Sequence, residues 1–521
     1  MYAVYPEKCN GCNQCLLVCQ PEAITVVKRK ARIDERCVDC HACVKVCPVD
    51  AVIAAEGPGP PGSLVCHACP VLCCIPLDSK GACQNFINEG GLLLRCEPVA
   101  SYAEINDDID YDYQPAISKP LLTGIGAGTT APCYRPSPYI VEANVQGVDV
   151  VSCVTECIFS LCEMYVKVDT DEYLGKEGSP IIYRGNRVGV VTTPGYGSQN
   201  LSLAGPTIIT GTNTQASFSA VKVITELAQR KSVTLRVEEQ ARLVLQLGKP
   251  PIINGHVREK MKFACGSATL NLLSKFFRGA ADEVVALDDV YTGLYTELAF
   301  VRRDQRMPRS GLGLSYVRNT PGRYYGVPGS GWGHTDVHDP VKVFKIEDPE
   351  RVRPGFTVLV TEPTGRQAKM YRYNEGGDFE EMDITSRAQS ALSALKENTE
   401  STTVSARFIG GAGGSARGGV TEWPLRLTKA VHKGKVKITV AGVPTFILPG
   451  GGITFVVDVG LADPRAFSWV PSPAVTVAME YTMTREDFLA LGGHRQAIRP
   501  LEEVLREKKQ GSRFRVPDTG W

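Results

Sequence analysis

The sequence predicts an α+β protein, in which a small cysteine-dense module at the N-terminus precedes a large β-rich α+β body. Two observations support this fold class. Most of the 19 cysteines lie in the first hundred of the 521 residues. Beyond them, short valine-rich runs alternate with glycine turns such as PGSGWG and PGGG, and the chain holds 51 glycines and 34 prolines. Short apolar runs bounded by such turns are typical of strands.

The N-terminal module contains two cysteine runs of almost the same rhythm. The first is CNGCNQCLLVCQP and the second is CVDCHACVKVCP. The spacing C-x2-C-x2-C-x3-C binds 4Fe–4S clusters, and the fourth cysteine of each run binds the other cluster. Paired CxxC units can also form zinc ribbons, but two full runs of four favour clusters. The module resembles two-cluster bacterial ferredoxins, and we predict a ferredoxin-like domain over residues 1–56. One cluster is assigned to Cys9, Cys12, Cys15 and Cys47, and the other to Cys19, Cys37, Cys40 and Cys43.

A second cysteine-rich segment follows the linker GPGPPG and is predicted to span residues 63–100. Its pattern C-x2-C-P-x2-C-x9-C places Cys66, Cys69, Cys73 and Cys83 on a short, turn-rich stretch. Four such thiolates can bind a third iron–sulfur cluster or a structural zinc ion. They can also be buried without a metal, since free cysteine behaves as a small hydrophobe. A third cluster is the interpretation that we favour.

The remaining chain is predicted to form the body over 115–500, with room for two subdomains, and a flexible tail over 508–521. Residues 181–193 are predicted to form a hairpin, and residues 384–400 a helix. The net charge of +1 gives no sign of a nucleic-acid partner. We find no apolar run long enough for a membrane span and no signal-peptide pattern. Many cysteines without a secretion signal indicate a reducing compartment, so we expect a cytoplasmic protein.

Two glycine-rich loops of the body carry the candidate ligand residues. The loop GGAGGSARGG at 410–419 offers backbone N–H groups, a hydroxyl and a guanidinium to a phosphate, from Gly411, Gly413, Gly414, Ser415 and Arg417. It does not match a dinucleotide-binding GxGxxG. The loop at 310–336 combines arginines, which suit a carboxylate, with aromatic residues, which suit a planar ring; its candidates are Arg318, Arg323, Tyr324 and His334. Either loop can also be an ordinary packed turn.

Nearly the whole chain is similar to the 6-hydroxynicotinate reductase family. The resemblance rests on segments that include CHACPVLCCI, VDTDEYLG, LDDVYTGLYTE, GRYYGVPGSGWGHT, GGAGGSARGGVT and PGGGITFVVDVG. It implies an iron–sulfur flavoprotein that takes electrons from reduced ferredoxin. The implied reaction converts 6-hydroxynicotinate to 1,4,5,6-tetrahydro-6-oxonicotinate.

On that reading, Arg318 or Arg323 binds the substrate carboxylate, His334 or Tyr324 donates a proton, and the loop at 410–419 holds the phosphate of FAD or FMN. We also expect a homo-oligomer. Three alternatives remain open: a reductase of another N-heterocycle, a non-catalytic electron-transfer subunit, and a radical or hydrolytic enzyme with structural clusters.

Overall fold

The structure is a computed structural model that describes residues 2–54, 59–69, 71–96, 114–125, 135–168, 170, 172, 174–192, 199–211, 213–238, 241–261, 264–298, 309–315 and 331–510. The chain divides into two compact units. Unit 1 comprises Met1–Ser101 and Lys262–Thr399, and unit 2 comprises Tyr102–Met261 and Glu400–Trp521. Residues 262–399, which lie inside the predicted body, therefore group with the cysteine-rich N-terminal part of the chain.

The N-terminal module of unit 1 is built from two short cluster loops and small antiparallel sheets. Its strands are Tyr2–Val4, Ile24–Val27, Lys30–Ile33 and Val52–Ala54, and its helices are Gln14–Leu17 and Ala42–Lys45. The first strand pairs with the last, which closes the module on itself. The cysteine-rich segment adds the strands Leu64–Val65, Cys74–Ile75, Ser79–Lys80, Phe86–Glu89 and Leu92–Arg95.

The rest of unit 1 is a mixed sheet with helices on one face. In spatial order its strands are Gly293–Leu294, Glu283–Ala286, Thr357–Thr361, Ala368–Tyr373 and Phe379–Met382. The helices are Gly266–Leu272, Ser274–Phe277, Tyr295–Leu298 and Ser386–Glu397, with 3-10 turns at Trp332–His334 and Pro340–Val343. A small sheet pairs Leu312–Leu314 with Phe344–Ile346. Buried residues of the helices cover one face of the larger sheet, and loop residues such as Trp332 and Phe356 cover the other. The helix predicted over 384–400 is confirmed within those bounds.

Unit 2 packs two sheets around one core. One sheet has the strand order Val443–Pro444, Val436–Val440, Ala474–Thr484, Val148–Ile158, Tyr139–Val145 and Ile498–Pro500, with Ser468–Val470 beside the third. The other has the order His256–Val257, Ile252–Ile253, Ala241–Leu245, Val233–Val237, Pro180–Tyr183, Asn186–Thr192, Gln199–Ala204, Glu163–Val168, Val404–Gly411, Thr454–Asp458 and Phe446–Leu448. The predicted hairpin at 181–193 is the pair Pro180–Tyr183 and Asn186–Thr192.

The sequence explains why these strands pack as they do. Val233–Val237 alternates buried and exposed residues, as a strand with one covered face should. Val148–Ile158 is apolar over most of its length and buried on both faces. The helices of unit 2 are Pro206–Ile209, Thr214–Ala228, Gly414–Gly418, Pro424–His432, Arg485–Ala490 and Leu501–Lys509.

The α+β class is therefore confirmed, with a ferredoxin-type N-terminal module and a strand-rich body. The helix Leu501–Lys509 reaches two residues into the segment predicted as a flexible tail, and 511–521 lie outside the described residues. Among the helices that the structure describes, none is long and apolar enough to cross a membrane.

Candidate functional site

The ferredoxin-type cysteines line two separate cavities, each with four thiols. Cys9, Cys12, Cys15 and Cys47 line a cavity of about 350 Å³, including space open to solvent. Cys19, Cys37, Cys40 and Cys43 line a second cavity of about 330 Å³. Each run thus contributes three cysteines to one cavity and its fourth to the other. This is the exchange that the spacing predicts for a two-cluster module.

Left-handed backbone turns shape both cluster loops in the same way. Asn13 and His41, at φ 64° and 71°, directly precede the two short helices. Two residues earlier in each loop, Gly11 and Asp39 also have positive φ. At Gly11 the turn also needs glycine for space, because a Cβ there would lie 2.5 Å from the Arg29 carbonyl oxygen. The repeated backbone explains why the two runs present their thiols alike.

Backbone N–H groups donate hydrogen bonds to several of these sulfur atoms. The amides of Ala23 and Ala51 each lie 3.2 Å from Sγ of the fourth cysteine of their run, Cys19 and Cys47. The Ala31 amide, 3.5 Å from Sγ of Cys9, holds the pKa of that thiol below its ordinary value. Such bonds favour the thiolate and tune the reduction potential of a bound cluster.

Burial has the opposite effect on the pKa values of the deeper thiols. It raises the pKa of Cys43 to about 12, and it also raises the pKa values of Cys15, Cys19 and Cys37. A thiol in such a place ionises when a metal cation replaces its proton. The set of four thiols in each cavity, with amides aimed at the sulfurs, therefore fits an iron–sulfur cluster.

The glycine-rich loop of unit 2 links the strand Val404–Gly411 to the short helix Gly414–Gly418. Two of its glycines are closely packed. A Cβ at Gly410 would lie 2.4 Å from Cys162 Sγ, and one at Gly418 would lie 2.6 Å from the Arg135 guanidinium. Gly411 has only a backbone oxygen 3.6 Å away, and Gly414 has open space beside it. The loop is thus packed at its ends and open in the middle.

Arg417 of this loop points towards the protein interior. Its Nη1 donates to the Thr428 hydroxyl at 2.8 Å, and its Nε is buried without a protein partner. The hydroxyl of Tyr481 is also buried and unpaired, and the guanidinium lies close enough to interact with it electrostatically. His494 Nε2 donates to the Gly418 carbonyl oxygen at 2.9 Å. Arg135 and Tyr481 were not singled out from the sequence, because nothing local marks them.

His334 lies in unit 1 in a tight loop. It is half-buried at φ 63° and follows Gly333, whose hypothetical Cβ would lie 1.9 Å from the Leu287 carbonyl oxygen. The other candidates of that loop, Arg318, Arg323 and Tyr324, lie outside the described residues. His334 and the glycine-rich loop belong to different compact units.

Comparisons with known proteins bear on the cysteine runs and on the chain as a whole. The family profile described as a 4Fe-4S dicluster domain matches residues 8–51, which contain both cysteine runs. A protein from Eubacterium barkeri described as "6-hydroxynicotinate reductase" is 37% identical over 506 residues, which cover 96% of this chain and 100% of that protein. The chain belongs to the 6-hydroxynicotinate reductase family. No solved structure gives a significant match.

As a member of the 6-hydroxynicotinate reductase family with an iron–sulfur module, the chain is an iron–sulfur oxidoreductase. Two buried carboxyl groups of this reductase were not predicted from the sequence. Glu283 accepts hydrogen bonds from Thr296 and Ser310, both with hydroxyl distances of 2.6 Å, and burial raises its pKa to about 6. Glu480 accepts from the hydroxyls of Thr123 and Thr439, and burial raises its pKa to about 7. A signal existed for Glu480, since it is a lone acidic residue in the apolar run AVTVAMEYTM.

Proposed function

We propose that the protein reduces the ring of 6-hydroxynicotinate to 1,4,5,6-tetrahydro-6-oxonicotinate with electrons from reduced ferredoxin. The observation that carries this proposal is the 37% identity to a 6-hydroxynicotinate reductase along 96% of the chain. The reaction consumes two electrons and two protons. It therefore requires a source of low-potential electrons, a place where two can be combined, and a proton donor beside the ring.

The eight ferredoxin-type cysteines are proposed as the ligands of two 4Fe–4S clusters, and the four cysteines that line each cavity would bind one cluster. Such clusters carry one electron each at potentials that can reach the low end of the known range. The chain itself supplies the thiolates, the amides of Ala23, Ala31 and Ala51 that stabilise them, and the buried walls that limit water. Thiolate ligands of this kind suit a reducing compartment, so we place the protein in the cytoplasm.

The glycine-rich loop of unit 2 is proposed to hold the phosphate of a flavin, through Gly411, Gly413, Gly414, Ser415 and Arg417. A flavin, when bound, supplies the conversion between one-electron and two-electron transfer. Two observations support the fit: the open backbone at Gly411 and Gly414, and the buried Nε of Arg417 that lacks a protein partner. A backbone without side chains allows close approach of a phosphate, and a buried guanidinium donor favours negative charge.

The substrate residues are proposed from the loop at 310–336. Arg318 or Arg323 would bind the carboxylate, since guanidinium groups match its geometry. His334 or Tyr324 would hold the proton that is delivered to the ring. Of these, His334 lies among the described residues, half-buried and at a φ of 63° in a tight loop. A positive φ at a non-glycine residue can mark a functional site, and this supports the choice of His334.

The experiment uses anaerobically purified full-length protein with reduced ferredoxin and 6-hydroxynicotinate. Iron and flavin are counted, and loss of substrate absorbance is followed with ring-reduced product identified by mass spectrometry. We expect turnover, and we expect His334→Gln to lower kcat by about 10²-fold or more if the imidazole donates the proton. His338→Gln, at an exposed histidine of the same segment, is the matched control.

Two results would contradict the proposal. Protein that holds iron and flavin but leaves 6-hydroxynicotinate unchanged, while reducing another N-heterocycle, would reassign the substrate. Protein that holds iron without flavin and only exchanges electrons with a partner would indicate an electron-transfer subunit.

A further inference from the structure

The cysteine-rich segment of unit 1 forms a tight hairpin that gathers three cysteines. Its strands are Leu64–Val65 and Cys74–Ile75. The amide of Cys66 donates to the carbonyl of Cys73 at 2.8 Å, so these two residues face each other at the end of the hairpin. Cys69 lies in the connecting turn, where its carbonyl accepts from the Leu72 amide. Three sulfur-bearing residues therefore occupy one end of a single hairpin.

Cys73, which directly precedes the strand Cys74–Ile75, and Cys74 point in opposite directions. Cys73 packs with Cys66 in one buried cluster. The sulfur of Cys74 instead lies against the linker, because a Cβ at Gly59 would come within 2.9 Å of it. Successive side chains of a strand alternate in direction. Cys73 is thus available to a site shared with Cys66 and Cys69, and Cys74 is a packing residue.

A second loop reaches the same place. The Ala82 amide donates to the sulfur of Cys73, and Cys83 is the next residue along the chain. Cys69 and Cys83 are exposed, whereas Cys66 and Cys73 are buried. The hairpin and the Ala82–Cys83 loop therefore bring four cysteine residues, two buried and two exposed, into one short region of the chain.

This site adjoins the loop that carries Cys37 and Cys40. The amide of Cys74 donates to the Val38 carbonyl at 2.8 Å. Val38, Cys66 and Cys73 are buried together, and Cys40 packs against them. Cys40 also lines the second ferredoxin-type cavity. The hairpin therefore lies in direct contact with the wall of that cavity.

We propose that Cys66, Cys69, Cys73 and Cys83 bind a third iron–sulfur cluster beside the Cys40 cavity. The contact with the Cys40 cavity favours a cluster over zinc. An iron–sulfur cluster there would exchange electrons with the proposed neighbouring cluster, whereas zinc has no redox chemistry.

The adjacent cysteines supply a matched pair of variants, Cys73→Ser and Cys74→Ser. Full-length protein is purified anaerobically, and iron, sulfide and zinc are counted per chain. We expect Cys73→Ser to lose about four irons, the content of one cubane cluster, and Cys74→Ser to keep them. Because Cys73 is buried, Cys69→Ser in the exposed turn is the second test and should lose the same iron.

Electron paramagnetic resonance of the reduced protein tests the position of the site. A cluster in contact with the Cys40 loop should interact magnetically with its neighbour, so the wild-type spectrum should be broader than that of Cys69→Ser. Equal iron in all three variants and the wild type would overturn the proposal, as would loss of zinc in place of iron. These counts do not depend on ring reduction, so failure of the proposed reaction and failure of the third site give different results.

Discussion

Replacing Glu480 by glutamine should make unit 2 progressively more stable than the wild type as the pH rises. The carboxyl group is buried in the strand Ala474–Thr484 and accepts hydrogen bonds from Thr439 Oγ1 at 2.5 Å and from the Gly442 amide at 3.2 Å. These bonds do not offset the loss of water, and burial raises the pKa from 4.5 to about 7. Ionising this group in the folded protein therefore costs free energy that a neutral side chain avoids.

Proton linkage gives the direction and the size of this change in stability with pH. Below the unfolded pKa of 4.5, both states hold the proton and Glu480 carries no penalty. As the pH rises from 4.5 to about 7, the unfolded state releases its proton first, and stability falls by about 3 kcal/mol in total. Glutamine does not titrate. Between about pH 5.5 and 8.5, the stability of Glu480→Gln relative to the wild type should increase by about 2 kcal/mol.

The assay is urea-induced unfolding followed by fluorescence at several pH values, with the free energy of unfolding compared between the two proteins. Glutamine can lose one hydrogen bond, which adds a constant cost of about 1 kcal/mol but no dependence on pH. Glu177→Gln, at an exposed turn of the same unit, controls for the removal of a negative charge. A free-energy difference for Glu480→Gln that stays flat or shrinks with rising pH would refute this account of the buried carboxyl.

Two further substitutions test other parts of the structure. Gly333→Ala should destabilise unit 1 by more than about 2 kcal/mol, because Gly333 has a left-handed φ of 57° and an added Cβ would lie 1.9 Å from a backbone oxygen. The control is Gly355→Ala, also at positive φ but in open space, which should cost only the backbone strain. Equal effects of the two substitutions in thermal unfolding would exclude the steric clash. Arg309→Met should increase proteolysis near the linker at 57–62, because Arg309 Nη2 donates a hydrogen bond to the Lys45 carbonyl and so connects the N-terminal module to the rest of unit 1. The control is Arg353→Met, at an exposed arginine. Identical digestion patterns for the two variants would show that this hydrogen bond does not anchor the module.

The grouping of the ferredoxin-type cysteines around two cavities could be predicted because the cysteine spacing is a local feature. Each run fixes three cysteines within seven residues, and the exchange of the fourth cysteine follows from the repeat. The cavities formed by Cys9, Cys12, Cys15 and Cys47, and by their counterparts, have the predicted membership. The hairpin at 181–193 and the helix Ser386–Glu397 were predictable for the same reason, since turn residues and helical spacing act over a few positions.

Other features depended on residues far apart in the chain. Thr123 and Glu480 are 357 positions apart and share a hydrogen bond. The Arg135 guanidinium lies on Gly418, and residues 262–399 group with the N-terminal segment. The cysteine spacing selects Cys73 but does not say where its neighbour Cys74 lies; in the structure, Cys73 packs with Cys66 and the sulfur of Cys74 lies against the linker.

By itself, the sequence determined the ferredoxin-type 4Fe-4S module, the α+β class and the family, because short-range spacing and extended similarity carry that information. Only the tertiary structure decided which residue of the cysteine pair packs beside Cys40, where Arg417 points and which carboxyl groups are buried. The physical reason is that burial and hydrogen-bond partners depend on how distant segments pack together. The spacing of residues along the chain does not determine that packing.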